Sequence, residues 1–301
     1  MSERRELPIV VLCGPTGVGK TRVAVALSRR LGGEIIGADS VQVYRGFDIG
    51  SCKPTRDELM GVRHHLLDVV EPDEGIDAAR FAALADAAID DVARRGKIPF
   101  VVGGTGLWLR ALLRGLVALP PVDVALRARL SQTWRELGPY AMHAQLSAID
   151  PLSAARVHAS DMVRVVRALE VHAQTGLPLG ELRRLHALGA PRYRSLTLVL
   201  DVEPHVWAEQ LATRTRSMLG RGWVDEVKAL RERYGRELRP LRSVGYRQVS
   251  ESLDSAFISD DLHERVLFAT RQYGKRQRNW FRSEPSVDQW IGADSALSEE
   301  T

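Results

Sequence analysis

At 301 residues, 45% hydrophobic and 27% charged, the chain has enough apolar sequence for one large domain or a domain with an insertion, and it lacks the bias of a disordered or fibrous protein. No apolar run approaches the roughly 20 residues that cross a bilayer, and only two cysteines, Cys13 and Cys52, occur, which excludes a disulfide framework. The net charge of +4 is uneven: residues 116–195 hold ten arginines against six acids, and residues 271–282 hold five basic residues and no acid, stripes that suit a polyanionic partner.

The first six residues lead into a short β-like run at 9–13, not a leader's apolar stretch, so no signal peptide and a cytoplasmic location are expected. A helix is expected from 21 to 31, with Val23, Ala26, Leu27 and Leu31 at helical spacing. A second strand covers 34–38, an amphipathic helix 78–95 stops at Gly96, a third strand covers 98–102, and a helix follows over 107–113. This alternation predicts an α/β fold with a parallel sheet flanked by helices, whose ligands sit at the carboxyl ends of the strands. Pro120-Pro121 then marks a boundary. Residues 116–194 read as an all-helical insertion, with helices at 123–137, 139–148, 151–157 and 161–175. A core strand returns at 195–202, so residues 1–115 and 195–301 together form the catalytic core. Helices are expected at 204–219, 223–234, 243–253 and 260–281, a last strand at 287–291, and a frayed acidic tail from Gly292.

The chemistry begins at Gly14-Pro15-Thr16-Gly17-Val18-Gly19-Lys20-Thr21. This is G-x-x-x-x-G-K-[ST] between a strand and a helix, the context in which a loop cradles phosphates with backbone N–H groups and a helix dipole. Lys20 supplies charge to the outer phosphates, and Thr21 is placed to hold Mg²⁺. Alone, the loop is compatible with an ATP-dependent small-molecule kinase or a nucleotide-dependent RNA-binding module. Asp39, directly after a strand, reads as a general base or a Mg²⁺ ligand, with an Asx turn as the alternative. Thr105 in Gly103-Gly104-Thr105-Gly106 could donate to a phosphate oxygen. One of Arg214, Arg216 and Arg221 could reach a diphosphate. His64-His65 reads as packing rather than metal binding, and Asp68 as a weak Walker-B mimic. Tyr273, Trp280 and Phe281, among basic residues, are either base-stacking platforms or core anchors. The excess of Arg over Lys across the whole chain offers compositional bias as a plainer source of the basic stripes.

Taken with D-S-V-Q-V-Y-R-G-F-D-I-G-S-C-K-P at 39–54, H-H-L-L-D at 64–68, G-G-T-G-L-W at 103–108, D-M-V-R-V-V-R-A-L-E-V at 161–171, S-V-G-Y-R-Q at 243–248 and T-R-Q-Y-G-K-R-Q-R-N-W-F-R at 270–282, the chain resembles the tRNA dimethylallyltransferase (isopentenyl-tRNA transferase) family in its compact bacterial form. The resemblance implies a P-loop NTPase-like core whose loop, residues 14–21, grips the diphosphate of dimethylallyl diphosphate instead of ATP. It implies transfer of the dimethylallyl group to N6 of adenosine 37 in the tRNA anticodon stem-loop, with Mg²⁺ at Thr21 and diphosphate as the leaving group. Asp39 becomes the general base, and Thr105 and Arg214 contact the diphosphate. Contacts to tRNA fall on Asp39, Ser40, Val41, Gln42, Thr105, Arg127, Val163, Arg164, Val165, Val166, Arg167, Arg242, Ser243, Val244, Gly245, Tyr246 and Arg247. The insertion becomes an anticodon-arm clamp, and a monomer is expected. The departures are Phe47 for Met, Ser51-Cys52 for Thr-Ala, Trp108 for Tyr, and Gln210 for a basic residue, which leaves the diphosphate more dependent on Arg214.

Overall fold

The computed structural model describes residues 5–187, 190–254 and 261–293. Residues 1–4, on which the expected lack of a leader partly rests, the first residue of the expected 260–281 helix, and residues 294–301 of the expected tail lie outside these. The described residues fall into two compact units, Met1–Leu113 with Arg192–Thr301, and Arg114–Pro191.

The first unit is built on β1 (Arg5–Cys13), α1 (Lys20–Leu31), β2 (Gly33–Gly37), the single-turn α2 (Arg56–Leu59), the two-residue β3 (His64–His65), α3 (Ala78–Arg94), β4 (Ile98–Gly103) and α4 (Gly106–Arg114). The helices of the second unit are α5 (Val124–Ile149), α6 (Pro151–Ala154), α7 (Met162–Thr175) and α8 (Leu179–Ala187). The chain then returns to the first unit with β5 (Tyr193–Asp201), α9 (Pro204–Gly220), α10 (Trp223–Tyr234), α11 (Tyr246–Ser252), α12 (Leu262–Arg282) and β6 (Gln289–Gly292).

All six strands are parallel, in the order β3-β2-β4-β1-β5-β6. Parallel sheets are covered on both faces, which is why β1 is a continuous apolar run and not an alternating one. Ile9, Val11 and Cys13 enter the core on one face with α3, α4, α10 and α11. Leu12 enters the opposite core with α1 and α9. The carboxyl ends of β1, β2 and β4 therefore lie side by side, which brings the loop at 14–19, Asp39 and the 103–106 turn to one sheet edge. No helix among the described residues is long and apolar enough to cross a membrane.

The elements differ from the expectations at points with physical causes. Strand β1 starts earlier than expected because Arg5 pairs with Tyr193 across an irregular step at Pro8. The strand β5 begins at Tyr193, so residues 193–194, expected in the insertion, belong to the sheet. The helices expected at 123–137 and 139–148 abut at Gly138, whose φ of 81° and ψ of 169° break the helix immediately before Pro139. The helix expected over 243–253 starts at Tyr246, because Gly245 takes a positive φ and its N–H is held by Gln248 Oε1.

Helix α8 stands where no helix was expected, since Gly180 in its first turn weakens local helix propensity. In the second unit Gly180 N–H donates to Oδ2 of the buried Asp150, whose Oδ1 caps α6 through Ser153 N–H. Burial alone would raise the Asp150 pKa, but these hydrogen bonds outweigh it and hold the carboxyl below its usual range.

Candidate functional site

The phosphate loop leaves β1 at Gly14 and enters α1 at Lys20. Gly19 caps the helix in the left-handed region, φ 83°, where any side chain would be strained even though a Cβ there would meet nothing within 4 Å. Lys20 folds back over the loop, donating to Gly14 O at 3.1 Å and Pro15 O at 2.8 Å. Enclosure by the loop lowers its pKa from 10.5 to about 8; the neighbouring Asp39 opposes that shift and Arg214 adds to it. Two cations and one carboxylate thus converge.

Thr16, Gly17, Gly19, Lys20 and Thr21 line a cavity of about 670 Å³ together with Asp39, Gln42 and Arg214. Gly14 and Pro15 contribute carbonyls to Lys20, and Val18 is buried in the core, so these three motif residues shape the loop and do not line the cavity. A second cavity of about 360 Å³ opens beside the first. Thr16, Asp39, Ser51, Arg214 and Tyr273 line both. Burial and the Asp39 charge raise the Tyr273 phenol pKa, so it stays protonated. Of the three candidate arginines, Arg214 reaches the cavities, while Arg216 and Arg221 are exposed.

Asp39 makes the Asx turn that the sequence allowed, its Oδ1 accepting Val41 N–H at 2.9 Å and Gln42 N–H at 3.2 Å. The turn uses Oδ1 and leaves Oδ2 for a proton or a cation. Thr105 supports this turn: its Oγ1 accepts Ser40 N–H at 3.2 Å. Its hydroxyl thus lies behind Asp39 and is not among the groups lining either cavity.

The segment after Asp39 is held from a distance. Glu226 on α10 accepts the N–H groups of Asp48, Ile49 and Gly50 at 2.9, 2.6 and 3.2 Å, and the Tyr246 hydroxyl donates to it at 2.6 Å. Lys53 ties the same loop to Asp48 and Asp68. Asp68 therefore serves as an ion-pair partner and not as a Walker-B acid.

Ser40, Val41, Arg242, Ser243, Val244 and Tyr246 line the second cavity. Gln42 lines the first, and its amide anchors Ser51 and Cys52 carbonyls. Gly245 lies against the Trp223 ring, and Arg247 is exposed near Glu251.

In the second unit, Arg127 and Arg167 are spent on Glu170, which is fully buried. Arg127 Nε and Nη2 and Arg167 Nη1 converge on Glu170 Oε2, while Oε1 accepts Asp123 N–H. Burial would raise the Glu170 pKa, but the two guanidiniums outweigh it and hold the carboxyl low. Val165 packs in the unit's core and Val166 is buried too, whereas Val163 and Arg164 are exposed.

His65 binds Glu34 and His64 the Val62 carbonyl, as packing histidines do. Phe281 is buried, and Trp280 lies under the Arg110 guanidinium at 4.3 Å. Among the described residues no cluster of three or more His, Cys, Asp or Glu could hold a metal. The Thr21 hydroxyl and Asp39 carboxylate nevertheless face one cavity. A hydroxyl and a carboxylate fit Mg²⁺, which keeps several waters and draws its remaining ligands from substrate phosphates. Two residues that motif reading missed are Glu226 and Gln277. Glu226 gives no local signal, whereas Gln277 lies inside the distinctive block at 270–282.

A parallel sheet with a glycine-rich loop at its central strand, a cationic cavity and a second cavity sharing one carboxylate defines a P-loop NTPase-like transferase. The chain matches the model of the IPP transferase family over residues 42–284. It is 49% identical over 283 residues, 94% of each chain, to a tRNA dimethylallyltransferase of Anaeromyxobacter sp. (strain Fw109-5). The crystal structure of the tRNA isopentenylpyrophosphate transferase of Bacillus halodurans superposes with a TM-score of 0.69 at 35% identity, covering 96% of this chain and 90% of that one. A eukaryotic dimethylallyltransferase acting on tRNA gives 0.79 at 29% identity, covering 96% and 74%. The chain belongs to the IPP transferase family.

Proposed function

We propose that the protein transfers a dimethylallyl group from dimethylallyl diphosphate to N6 of adenosine 37 in tRNA. The observation that carries this reading is the junction of the two cavities: Asp39 borders both the phosphate-loop cavity and its neighbour. In the reaction the N6 lone pair bonds to C1 of the donor, the C1–O bond breaks with its electrons going to diphosphate, and the N6 proton passes to Asp39 Oδ2. The exocyclic amine is a weak nucleophile because its lone pair is conjugated with the ring, so a carboxylate within reach matters. The base enters the second cavity out of its stack.

Lys20, Arg214 and the loop N–H groups stabilise the charge that develops on the diphosphate. Thr21 would hold Mg²⁺, which when bound offsets diphosphate charge. Thr105 acts through Asp39, whose turn it supports, in place of the direct phosphate contact read from its motif. Ser40, Val41 and residues 242–247 line or flank the acceptor side. Arg164 and Val163 offer the insertion's exposed contacts to the anticodon stem-loop, while Arg127 and Arg167 act through their ion pair with Glu170. The enzyme works as a cytoplasmic monomer.

The test incubates the protein with unmodified tRNA and labelled dimethylallyl diphosphate and maps the label. Label on the adenosine 3′ of the anticodon is expected. No label on tRNA, with ATP hydrolysis in its place, would sink the reading in favour of a kinase.

A further inference from the structure

The carboxamide of Gln277, buried on α12, spends both ends on the loops that follow β1 and β4. Oε1 accepts Thr16 N–H at 2.9 Å, and Nε2 donates to Gly104 O at 2.8 Å. Gly104 is shaped around it, since a Cβ there would lie 2.4 Å from Gln277 Nε2. The next peptide is also held: Trp207 Nε1 of α9 donates to Thr16 O at 2.8 Å. That indole lies 4.1 Å beneath the Arg278 guanidinium, which is itself forked onto Asp201. The Thr16 N–H is therefore used to fix the loop and not to bind phosphate. One turn before Gln277, Tyr273 stands at the junction of the two cavities.

We propose that Gln277 is a positioning residue that sets the spacing between the phosphate loop and the 104–105 turn, and through it the grip on the donor's diphosphate. It joins α12, which borders the acceptor cavity through Thr270, Tyr273 and Arg276, to the donor loop. This rests on the donor assignment made above. The geometry demands one donor and one acceptor on a single short head group. A carboxamide supplies both; a carboxylate supplies acceptors only and would face the Gly104 carbonyl oxygen. A protonated carboxyl regains the donor.

The test compares Gln277→Glu, Gln277→Met and wild type by calorimetric titration with inorganic diphosphate at about pH 8 and about pH 5.5. The groups facing position 277 are Lys20 of α1, Asp39 after β2, Arg214 of α9 and Tyr273 of its own helix. Lys20 titration is shared by wild type and Gln277→Met and cancels in their ratio; in Gln277→Glu the added carboxylate favours charged Lys20, which works against the deficit expected at the higher pH. At the higher pH, Gln277→Glu is expected to bind diphosphate roughly tenfold more weakly than wild type, the size of one lost buried hydrogen bond. At the lower pH its deficit closes, because burial raises the introduced carboxyl's pKa and it takes up a proton. Gln277→Met, similar in volume, keeps its deficit at both and preserves the comparison should the carboxylate prevent folding. Affinity for tRNA is unchanged in both.

Wild-type diphosphate affinity in both variants, or a Gln277→Glu deficit that acid does not close, overturns the proposal. Wild type that binds no diphosphate overturns the donor assignment and this proposal with it, so the two failures are told apart.

Discussion

Lys20 gives the sharpest prediction because its environment sets a number. Its ammonium is enclosed by the loop that it bonds to, and its pKa falls from 10.5 to about 8. Only the charged form attracts diphosphate, so donor affinity should fall as pH rises through the value in the free enzyme. At about pH 9 roughly nine tenths of the free enzyme carries neutral Lys20, which weakens binding about tenfold relative to about pH 7. The ligand supplies the missing counter-charge, so binding in this window takes up a proton, which calorimetry in buffers of differing ionisation enthalpy detects.

Lys20→Arg, whose guanidinium does not titrate here, should remove the fall, and the ratio of the two proteins cancels the ligand's own ionisation. Cys13, pushed up to about 12, and the Tyr273 phenol, also raised, stay protonated across the window and do not mimic the effect. Stability without ligand responds with the opposite sign. Folding depresses the Lys20 value, so between about 8 and 10.5 the unfolded chain holds the extra proton and stability rises with pH. The raised values of Cys13, Tyr246 and Tyr273 work against this at the alkaline end, so the difference between wild type and Lys20→Met isolates it. A donor affinity that runs parallel in wild type and Lys20→Arg between about pH 7 and about pH 9.5 would refute the reasoning.

Asp39→Asn keeps the Oδ1 acceptor that holds the Val41 and Gln42 N–H groups. Steady-state kinetics should therefore show turnover down roughly 100-fold or more with diphosphate affinity little changed; equal losses would make Asp39 a cation ligand or a structural residue. Glu226→Ala leaves three loop N–H groups and the Tyr246 hydroxyl without their acceptor. It should cost about 2 kcal/mol in urea unfolding and raise the KM for tRNA more than that for the donor. Glu170→Ala leaves two guanidiniums facing each other across a vacated buried site. The loss should be about 3 kcal/mol, at the lower end for broken buried pairs because both cations keep partial access to water. Tryptophan fluorescence melting, reporting Trp134 packed in that core, measures it. Finally, tRNA affinity should fall steeply as salt rises, since basic side chains displace counterions from phosphates, and filter binding with a flat salt response would remove the basic insertion from the interface.

The sheet was legible because its strands are short apolar runs bounded by glycines or polar residues, and because the glycine-lysine loop has meaning only between a strand and a helix. What escaped were features decided by long-range contacts. Helix α8 begins at Leu179, directly after Pro178 and with Gly180 in its first turn, where local helix propensity is weak. It folds as a helix because Asp150, distant in sequence, accepts Gly180 N–H and leaves no room for a Cβ, which would lie 2.5 Å from Asp150 Oδ1. The two-residue β3 has no periodicity of its own and exists because His64 and His65 pair with Ile35 and Ile36.

The site shows the same division. The placement of phosphate-loop residues and Asp39 at one cavity is legible because it depends on local backbone shape, which sequence spacing encodes. A basic residue's role is not, because an arginine reads identically whether it faces phosphate or a buried acid. Arg127 and Arg167 illustrate the cost: both fit a basic clamp by position, and both are directed at Glu170. Glu170 was in view as one of the insertion's six acids, but charge counting treats it as solvated, while its complete burial makes it the centre of the ion pair. Net charge therefore overstates what this unit can offer a polyanion. The cations available without first breaking a buried interaction are those such as Arg164, two-thirds exposed and paired with Asp161 one turn away, a surface pairing weak enough for a phosphate to displace.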